Sequence, residues 1–211
     1  FNDMTGTTRP VATVSYYEGD RKVDKLPEDF YSSEYYTDRV IDYIGSNDDE
    51  QPFMAYLSFT AGHWPLQVPD DWLDRYADDY EEGWHAVRKS RFNRQRDMGI
   101  IPAHAQLSVG HRAIEEWDKL LPAQKKVELR RMRIYAAMIE NMDHHIGRLL
   151  EDLETRASSR ETIIIFVSDN GAEGNAIDQI MDNDYWIPST FDNRFDNLGR
   201  QGSYMWLGLG W

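Results

Sequence analysis

Two short apolar runs stand out in the pattern of hydrophobic and polar positions along the chain. The more continuous one lies in the sequence ETIIIFVSDNGAEG, from Glu161 to Gly174. Ile163 to Val167 form an unbroken apolar stretch, which is typical of a strand buried on both faces of a sheet. We therefore predict a central parallel strand. Its carboxyl end would deliver Asp169 and Asn170 to the sheet edge where open α/β folds bind their ligands.

The other apolar run, Phe53 to Phe59, also has the length and aromatic content of a strand. It is followed by small residues that end in Gly62, which let the backbone approach a ligand closely, and then by His63. Because an imidazole donates or accepts a proton near neutral pH, His63 is a candidate general acid or anion ligand. The alternative is a loop histidine whose ring is capped by a backbone carbonyl.

Amphipathic helices are predicted on either side of the Phe53 to Phe59 run. Tyr31 to Ile44 begins with Ser32 or Ser33 as its N-cap. Its apolar face would consist of Tyr36, Val40, Tyr43 and Ile44. Pro122 to Leu153 is the longest periodic segment, and a helix of this length between two strands is what a parallel crossover uses to cover a sheet. The predicted fold class is α/β, with a mostly parallel sheet covered by helices on both faces.

Asp169 and Asn170 place a carboxylate beside an amide carbonyl oxygen. These are hard donors, suited to Ca²⁺ or Mg²⁺ rather than to a soft metal. The alternative is a simple turn, because Asn-Gly is a strong turn former and Gly171 follows. His144 and His145 do not indicate a shared metal ion, since adjacent residues on a helix point about 100° apart.

Composition and charge exclude several classes of function. The 211 residues are enough for one substantial domain, and the formal net charge of -14 argues against nucleic acid, whose phosphates need a basic surface. No apolar run approaches the roughly 20 residues that a transmembrane helix needs. The sequence has no cysteine, which excludes disulfides, thiolate metal sites and a cysteine nucleophile.

Aromatic residues are abundant, with 7 Trp and 12 Tyr, and we expect most of them to be structural. After Gly174 the pattern has no sustained period and predicts a long loop system near a site. Four aromatic residues there could either stack on a ring of the substrate or simply pack: Tyr185, Trp186, Tyr204 and Trp206.

Four segments together resemble consecutive signatures of the type I sulfatase family, within the alkaline phosphatase superfamily. They are FTAGHWPLQVPDDWLDRY, YAAMIENMDHHIGRLLEDLE, TIIIFVSDNGAEG and DNLGRQGSYMWLGLGW. DFYSSEYYTDRVIDYI, upstream of them, is similar to a helix of the same family. The resemblance is strongest to bacterial arylsulfatases and extends from about Leu26 onward. It implies an alkaline-phosphatase-like α/β sandwich that hydrolyses sulfate esters at a calcium site, Mg²⁺ being the less favoured ion.

The resemblance also implies roles for individual residues. Asp169 and Asn170 match metal ligands in the family's Asp-Asn-Gly motif. His63 matches the histidine that contacts the sulfate and protonates the departing oxygen. In the family the nucleophile is a hydrated formylglycine, made from a Cys or Ser, and one of its hydroxyls attacks the sulfur.

The sequence departs from the family pattern in ways that indicate a partial domain. It lacks the formylglycine motif, and neither Asp48-Asp49 nor Asp70-Asp71 has the context of the early Asp-Asp pair that completes the calcium shell. Residues 1–211 are therefore expected to be the central part of a sulfatase catalytic domain, without its amino-terminal nucleophile segment and carboxyl-terminal part. Formylglycine is expected outside this segment, and the piece alone is expected to be inactive.

Two other classes of function are compatible with the same residues. A phosphate or phosphonate ester hydrolase of the same superfamily would keep this architecture, and so would a non-catalytic binding protein built on the sulfatase scaffold. The expected partner is a small-molecule sulfate ester, with no nucleic acid and no transmembrane segment. The particular ester, the oligomeric state and the compartment, whether periplasmic, secreted or cytoplasmic, stay open.

Overall fold

The computed structural model describes residues 15–47, 52–156, 162–171 and 186–211. Helices dominate this part of the chain. They are α1 (Ser32–Gly45), α2 (Gly83–Asp97), α3 (Pro122–Arg156) and the short α4 (Trp186–Thr190). Brief 3-10 turns at Asp70–Trp72, Trp117–Lys119 and Phe195–Asn197 lie between them.

The sheet in the described part of the chain is a small antiparallel hairpin. It pairs β1 (Tyr17–Glu18) with β2 (Arg21–Lys22). Gly19 lies in the turn with a φ of +58°, a conformation that glycine adopts without steric cost. This hairpin is not the parallel sheet that the sequence predicts.

The two predicted strands are irregular segments, neither of which has a hydrogen-bonded neighbour strand among the described residues. The prediction that Ile163 to Val167 is buried on both faces is wrong for this structure, because these five side chains are 60–88% exposed. Phe53, Met54 and Tyr56 are exposed as well. A strand is stabilised by its neighbour's backbone and side chains, and here the described residues supply neither. The mostly parallel sheet is therefore not confirmed.

The long helix α3 confirms the prediction for Pro122 to Leu153 and continues to Arg156. Its 35 residues extend for about 50 Å. The middle of the helix forms the main core with residues that precede and follow it in the chain. This core consists of Leu66, Val68, Leu73, Ile134, Ala137, Met138, Leu198 and Met205. Neither α3 nor any other described helix has a stretch apolar enough to cross a bilayer.

Helix α1 packs on α3, and its fully buried side chains are small and polar (Ser32, Ser33 and Thr37) instead of those of the predicted apolar face. Tyr31 occupies the N-cap position, whereas Ser32 and Ser33 lie inside the first turn and are completely buried. The Ser32 hydroxyl hydrogen-bonds to that of Thr60 at 2.9 Å. Tyr43, predicted on the buried face, is 56% exposed. The small side chains allow the chain around Thr60 to approach the start of α1.

The first turns of α3 carry basic residues where the helix dipole favours acidic ones. The structure pairs several of these side chains with acids. Arg130 contacts Asp74 at 3.1 Å, Arg131 contacts Glu128 at 2.7 Å, and Arg133 contacts Glu81 at 2.5 Å. Two of these acids come from the segment before α2, so the basic residues join that segment to α3.

Three tryptophans form a second core cluster. Trp84, Trp117 and Trp211 pack edge to face, with ring centroids 4.9–5.7 Å apart. Gly83 and Gly210 leave room for these rings, because a Cβ at either position would come within 2.5 Å of one of them. The expectation that aromatic residues are largely structural is confirmed for this cluster.

His145, a buried residue of α3, lies in a polar contact with α1. Its side chain is next to Arg148, with 3.0 Å between Nδ1 and Nη1, and Arg148 also donates to Asp38 of α1 at 2.7 Å. Burial lowers the pKa of His145 to about 4, and the charges of Arg148 and His144 lower it further, whereas Asp38 opposes the shift. The imidazole is therefore neutral at pH 7.

We expect stability to fall as the pH is lowered from about 6.5 to about 4 because of His145. The unfolded chain binds a proton at His145 near its ordinary pKa and the folded chain only near pH 4, so acid favours unfolding over this range. With allowance for partial solvation, the loss is on the order of 1–2 kcal/mol. Urea unfolding of the parent chain and of His145→Gln at several pH values measures this change in the free energy of unfolding.

The exposed loop residue His104 provides the control, because it is not among the groups that shift the pKa of His145. His104→Gln should keep the pH dependence of the parent chain, whereas His145→Gln should lose part of it. Equal pH dependence in the parent chain and in His145→Gln would contradict the assignment.

Candidate functional site

His63 lies on a tight turn held between α1 and α3. Its backbone N–H donates to the carbonyl of Thr60 at 3.2 Å, and Thr60 is hydrogen-bonded to Ser32 of α1. Gly62 has a φ of +95°, which favours glycine, and a Cβ there would lie 3.6 Å from Ile139 of α3. The predicted run of small residues thus places the turn against two helices, with His63 at its end.

The imidazole of His63 is exposed and has a defined orientation. Its Nδ1 lies 2.7 Å from the carbonyl oxygen of Trp64, and its ring centroid is 4.4 Å from the Trp64 ring. This is the carbonyl-capped histidine that the sequence left open as the alternative. The cap uses Nδ1 and leaves Nε2 for another partner, so the arrangement is compatible with both readings.

The segment after His63 is fixed against the carboxyl-terminal part of the chain. Leu66 N–H donates to the Met205 carbonyl at 2.8 Å, and Val68 N–H donates to the Gly199 carbonyl at 2.9 Å. The buried amide of Gln67 donates to the Ser203 carbonyl at 2.7 Å. These contacts join residues that are far apart in sequence, and they make the support of His63 part of the core.

An aromatic group, formed by Trp64, Phe191, Tyr204 and Trp206, lies beside the His63 turn around Ile187. Tyr204 is at its centre, with ring centroids 5.8 Å from Trp64 and 4.8 Å from Phe191. It is 1% exposed, and burial raises the pKa of its hydroxyl. The Tyr204 ring therefore has a packing role in the core and is not available to stack on a substrate, whereas the other three rings are partly exposed. Tyr185 lies outside the described residues, as does the side chain of Trp186.

Asp169 and Asn170 lie on an exposed turn that follows the Ile163 to Val167 segment. The Ser168 hydroxyl donates to the Asn170 carbonyl at 2.7 Å, and the Asn170 side-chain amide donates to the Gly171 carbonyl at 2.8 Å. These bonds form the turn predicted as the alternative for Asp-Asn-Gly. They engage the Asn170 amide nitrogen, so its side-chain oxygen is still an acceptor.

The structure does not join His63 to the Asp169 turn. No hydrogen bond or ion pair connects the two within the described ranges, and no group of three or more metal-binding side chains occurs there. The predicted meeting of His63 with Asp169 and Asn170 at one sheet edge thus stays a prediction.

The oxygen donors of Asp169 and Asn170 fit a hard cation in type. A carboxylate and an amide oxygen on adjacent residues are among the ligands that Ca²⁺ takes, and both side chains are exposed to solvent. Ca²⁺ requires six to eight oxygens, so this pair would form part of a shell that needs further donors.

The sequence pattern of the Sulfatase family matches residues 2–202. The chain belongs to the sulfatase family. This membership implies the alkaline-phosphatase-like α/β architecture, to which the described helices contribute. It also confirms the resemblance on which the sequence-based roles of His63, Asp169 and Asn170 depend.

Relatives of this sulfatase chain include bacterial and yeast proteins. It is 38% identical to an arylsulfatase of Klebsiella aerogenes over 213 residues, covering 100% of the chain and 45% of that protein. It is 39% identical to an uncharacterized sulfatase of Schizosaccharomyces pombe, covering 89% of the chain and 34% of that protein. An arylsulfatase of Clostridium perfringens is 28% identical, covering 68% of the chain and 27% of that protein. The chain thus spans less than half the length of these relatives.

Sequence reasoning missed the residues that support His63. Trp64 caps and contacts the ring, and Asn193 holds Tyr204 by accepting from its backbone N–H at 2.7 Å and donating to its carbonyl at 3.0 Å. The position of Trp64, between His63 and Pro65, is a local signal that could have indicated its contact with the imidazole. No local pattern indicates that Asn193 contacts Tyr204.

Proposed function

We propose that this chain is the central part of a sulfatase catalytic domain whose complete protein hydrolyses sulfate esters. The observation that carries the proposal is the Sulfatase match across nearly the whole chain, which contains the His63 turn and the Asp169-Asn170 pair. Two of the relatives named above are arylsulfatases, which favours aryl sulfates as the substrate class. The partly exposed ring of Trp64, whose centroid is 4.4 Å from that of His63, provides an apolar surface suited to such a leaving group.

His63 is proposed to act at the leaving group. In its protonated form, Nε2 donates its proton to the ester oxygen as the sulfur–oxygen bond breaks and that oxygen keeps the electron pair. The sulfuryl group passes to the oxygen of the family's nucleophilic hydroxyl, which is expected on formylglycine outside this segment and which releases its proton to water as the new sulfur–oxygen bond forms. Because an alkoxide or phenolate leaves more readily when protonated, the contribution of His63 should increase with the basicity of the leaving group.

Asp169 and Asn170 are proposed as two oxygen ligands of Ca²⁺. When bound, the ion would offset the negative charge of the sulfuryl oxygens. Asp169 would supply charge and Asn170 a neutral oxygen, while Ser168 and Gly171 hold the backbone of the turn. The remaining ligands would come from other parts of the protein, since two oxygens do not complete the shell.

Two assays on the complete product of the gene that encodes this chain test the proposal. Hydrolysis of 4-nitrophenyl sulfate should exceed that of 4-nitrophenyl phosphate, and a chelator should abolish it until Ca²⁺ is returned. A preference for the phosphate would instead support a phosphate ester hydrolase. Hydrolysis of neither would support a binding protein.

The metal ligands are tested by replacing Asp169. Asp169→Ala should weaken Ca²⁺ binding, measured by calorimetry, about 10- to 100-fold, because it removes the charged ligand of the pair. Asp97→Ala, at the exposed end of α2, is the control and should bind Ca²⁺ as the parent does. Unchanged affinity in Asp169→Ala would exclude it as a ligand.

A further inference from the structure

The hydrogen bond of His63 determines which ring nitrogen can face a substrate. Nδ1 lies 2.7 Å from the carbonyl oxygen of Trp64. A carbonyl oxygen only accepts, so Nδ1 must carry the hydrogen in this bond, in the neutral ring as well as in the protonated ring. Nε2 is then the atom that gains and loses the exchangeable proton.

The indole of the same residue restricts rotation of the imidazole. The two ring centroids are 4.4 Å apart, and the ring planes are inclined by 51°. A half-turn of the imidazole about its Cβ–Cγ bond would replace Nδ1 by a carbon and lose the bond to the carbonyl. Trp64 therefore holds the ring through two different groups, its backbone carbonyl and its side chain.

Trp64 is itself held in place by the core. Its ring centroid lies 5.8 Å from that of buried Tyr204. The side chain of Asn193 forms hydrogen bonds with both the backbone N–H and the carbonyl of Tyr204. Two residues after Trp64, Leu66 is hydrogen-bonded to Met205, the neighbour of Tyr204. The orientation of an exposed imidazole is thus set by a chain of contacts that ends in the interior.

We propose that Trp64 is a positioning residue that fixes His63 with Nδ1 protonated and Nε2 directed to the substrate. This proposal rests on the proposed function only for the identity of the substrate. It gives the proton transfer a defined atom, Nε2, because Nδ1–H is already bonded to the Trp64 carbonyl oxygen.

The tautomer is measured directly, without any activity assay. A long-range ¹H–¹⁵N correlation spectrum of the 211-residue chain reports which ring nitrogen carries hydrogen, and the His63→Gln spectrum identifies the His63 signals. At a pH where the ring is neutral, we expect the hydrogen on Nδ1. A ring protonated mainly on Nε2 would overturn the proposal.

Substitution of Trp64 tests the role of its side chain. Trp64→Leu removes the aromatic ring but keeps bulk, so the His63 signals should change to those of a mixture of tautomers, and Trp64→Phe should restore the Nδ1 form. The control is Trp72→Leu, because Trp72 contacts another histidine, His144, at 5.7 Å between ring centroids. It should leave the His63 signals unchanged. A pure Nδ1 tautomer in Trp64→Leu would overturn the role of the indole.

Kinetics of the complete gene product separate positioning from a general structural effect. Trp64→Leu should lower kcat about tenfold or more for phenyl sulfate, but only about threefold or less for 4-nitrophenyl sulfate, whose leaving group needs little protonation. Equal losses for both substrates would overturn the proposal. If the parent hydrolyses no sulfate ester, the proposed function fails, and the tautomer measurements alone decide whether Trp64 positions His63.

Discussion

Replacing His63 by glutamine is expected to lower kcat for phenyl sulfate hydrolysis by the complete gene product about 10²- to 10⁴-fold, the range typical of general acid–base catalysis. Glutamine keeps a polar side chain of similar size but has no proton to transfer. The loss should be smaller for 4-nitrophenyl sulfate. The limb of the pH profile that reports deprotonation of the acid should disappear with either substrate.

His104, an exposed loop residue to which no role is assigned, provides the matched control for this experiment. His104→Gln should retain the kcat and the pH profile of the parent. If His63→Gln kept kcat for phenyl sulfate within a few-fold of the parent value, His63 would not be the acid. Another group would then have to protonate the leaving oxygen.

His63 also illustrates how far the sequence could predict the site. The small residues before it predicted a close backbone approach to a ligand, whereas in the structure Gly62 lies close to the Ile139 side chain of α3. Its ring environment could not be read from the pattern. The position of the Trp64 ring depends on Tyr204, which lies far along the chain.

In the fold, too, features that depend on a local sequence pattern could be predicted, whereas features that depend on residues far away in the chain could not. Helix α3 was predicted because its periodicity is a property of the segment itself. The sequence predicts the N-cap of α1 at Ser32 or Ser33, one or two residues after its position at Tyr31. The hydroxyl of Ser32 has a partner at Thr60, 28 positions away, instead of capping the helix. A local sequence pattern carries no information about such a partner.

The Ile163 to Val167 segment shows a further limit of pattern reasoning. Its apolar composition indicates the surroundings that these side chains favour, but the described residues do not provide those surroundings. Soluble proteins rarely expose so many adjacent apolar side chains without a partner surface. We therefore propose that the remainder of a sulfatase domain covers this segment and makes it a strand of the parallel sheet. Asp169 and Asn170 would then lie at the end of that strand.

Replacing Met138 by alanine is expected to destabilise the 211-residue chain by about 2–5 kcal/mol, the usual cost of truncating a fully buried side chain. Met138 is 0% exposed and lies in the main core with Leu66, Val68 and Ile134. Alanine would leave a cavity between α3 and the segment that supports His63. Urea unfolding measures the loss as a lower transition midpoint with a similar slope.

Ile165→Ala is the contrasting variant, because Ile165 is 82% exposed in this structure. In the 211-residue chain it should change the free energy of unfolding by no more than about 0.5 kcal/mol. In the complete gene product, a buried strand position should raise that cost to about 2–5 kcal/mol. A large cost in the 211-residue chain would contradict the exposed placement of this segment. A negligible cost in both proteins would contradict the proposed strand, and with it the expectation that Asp169 and Asn170 lie at a sheet edge.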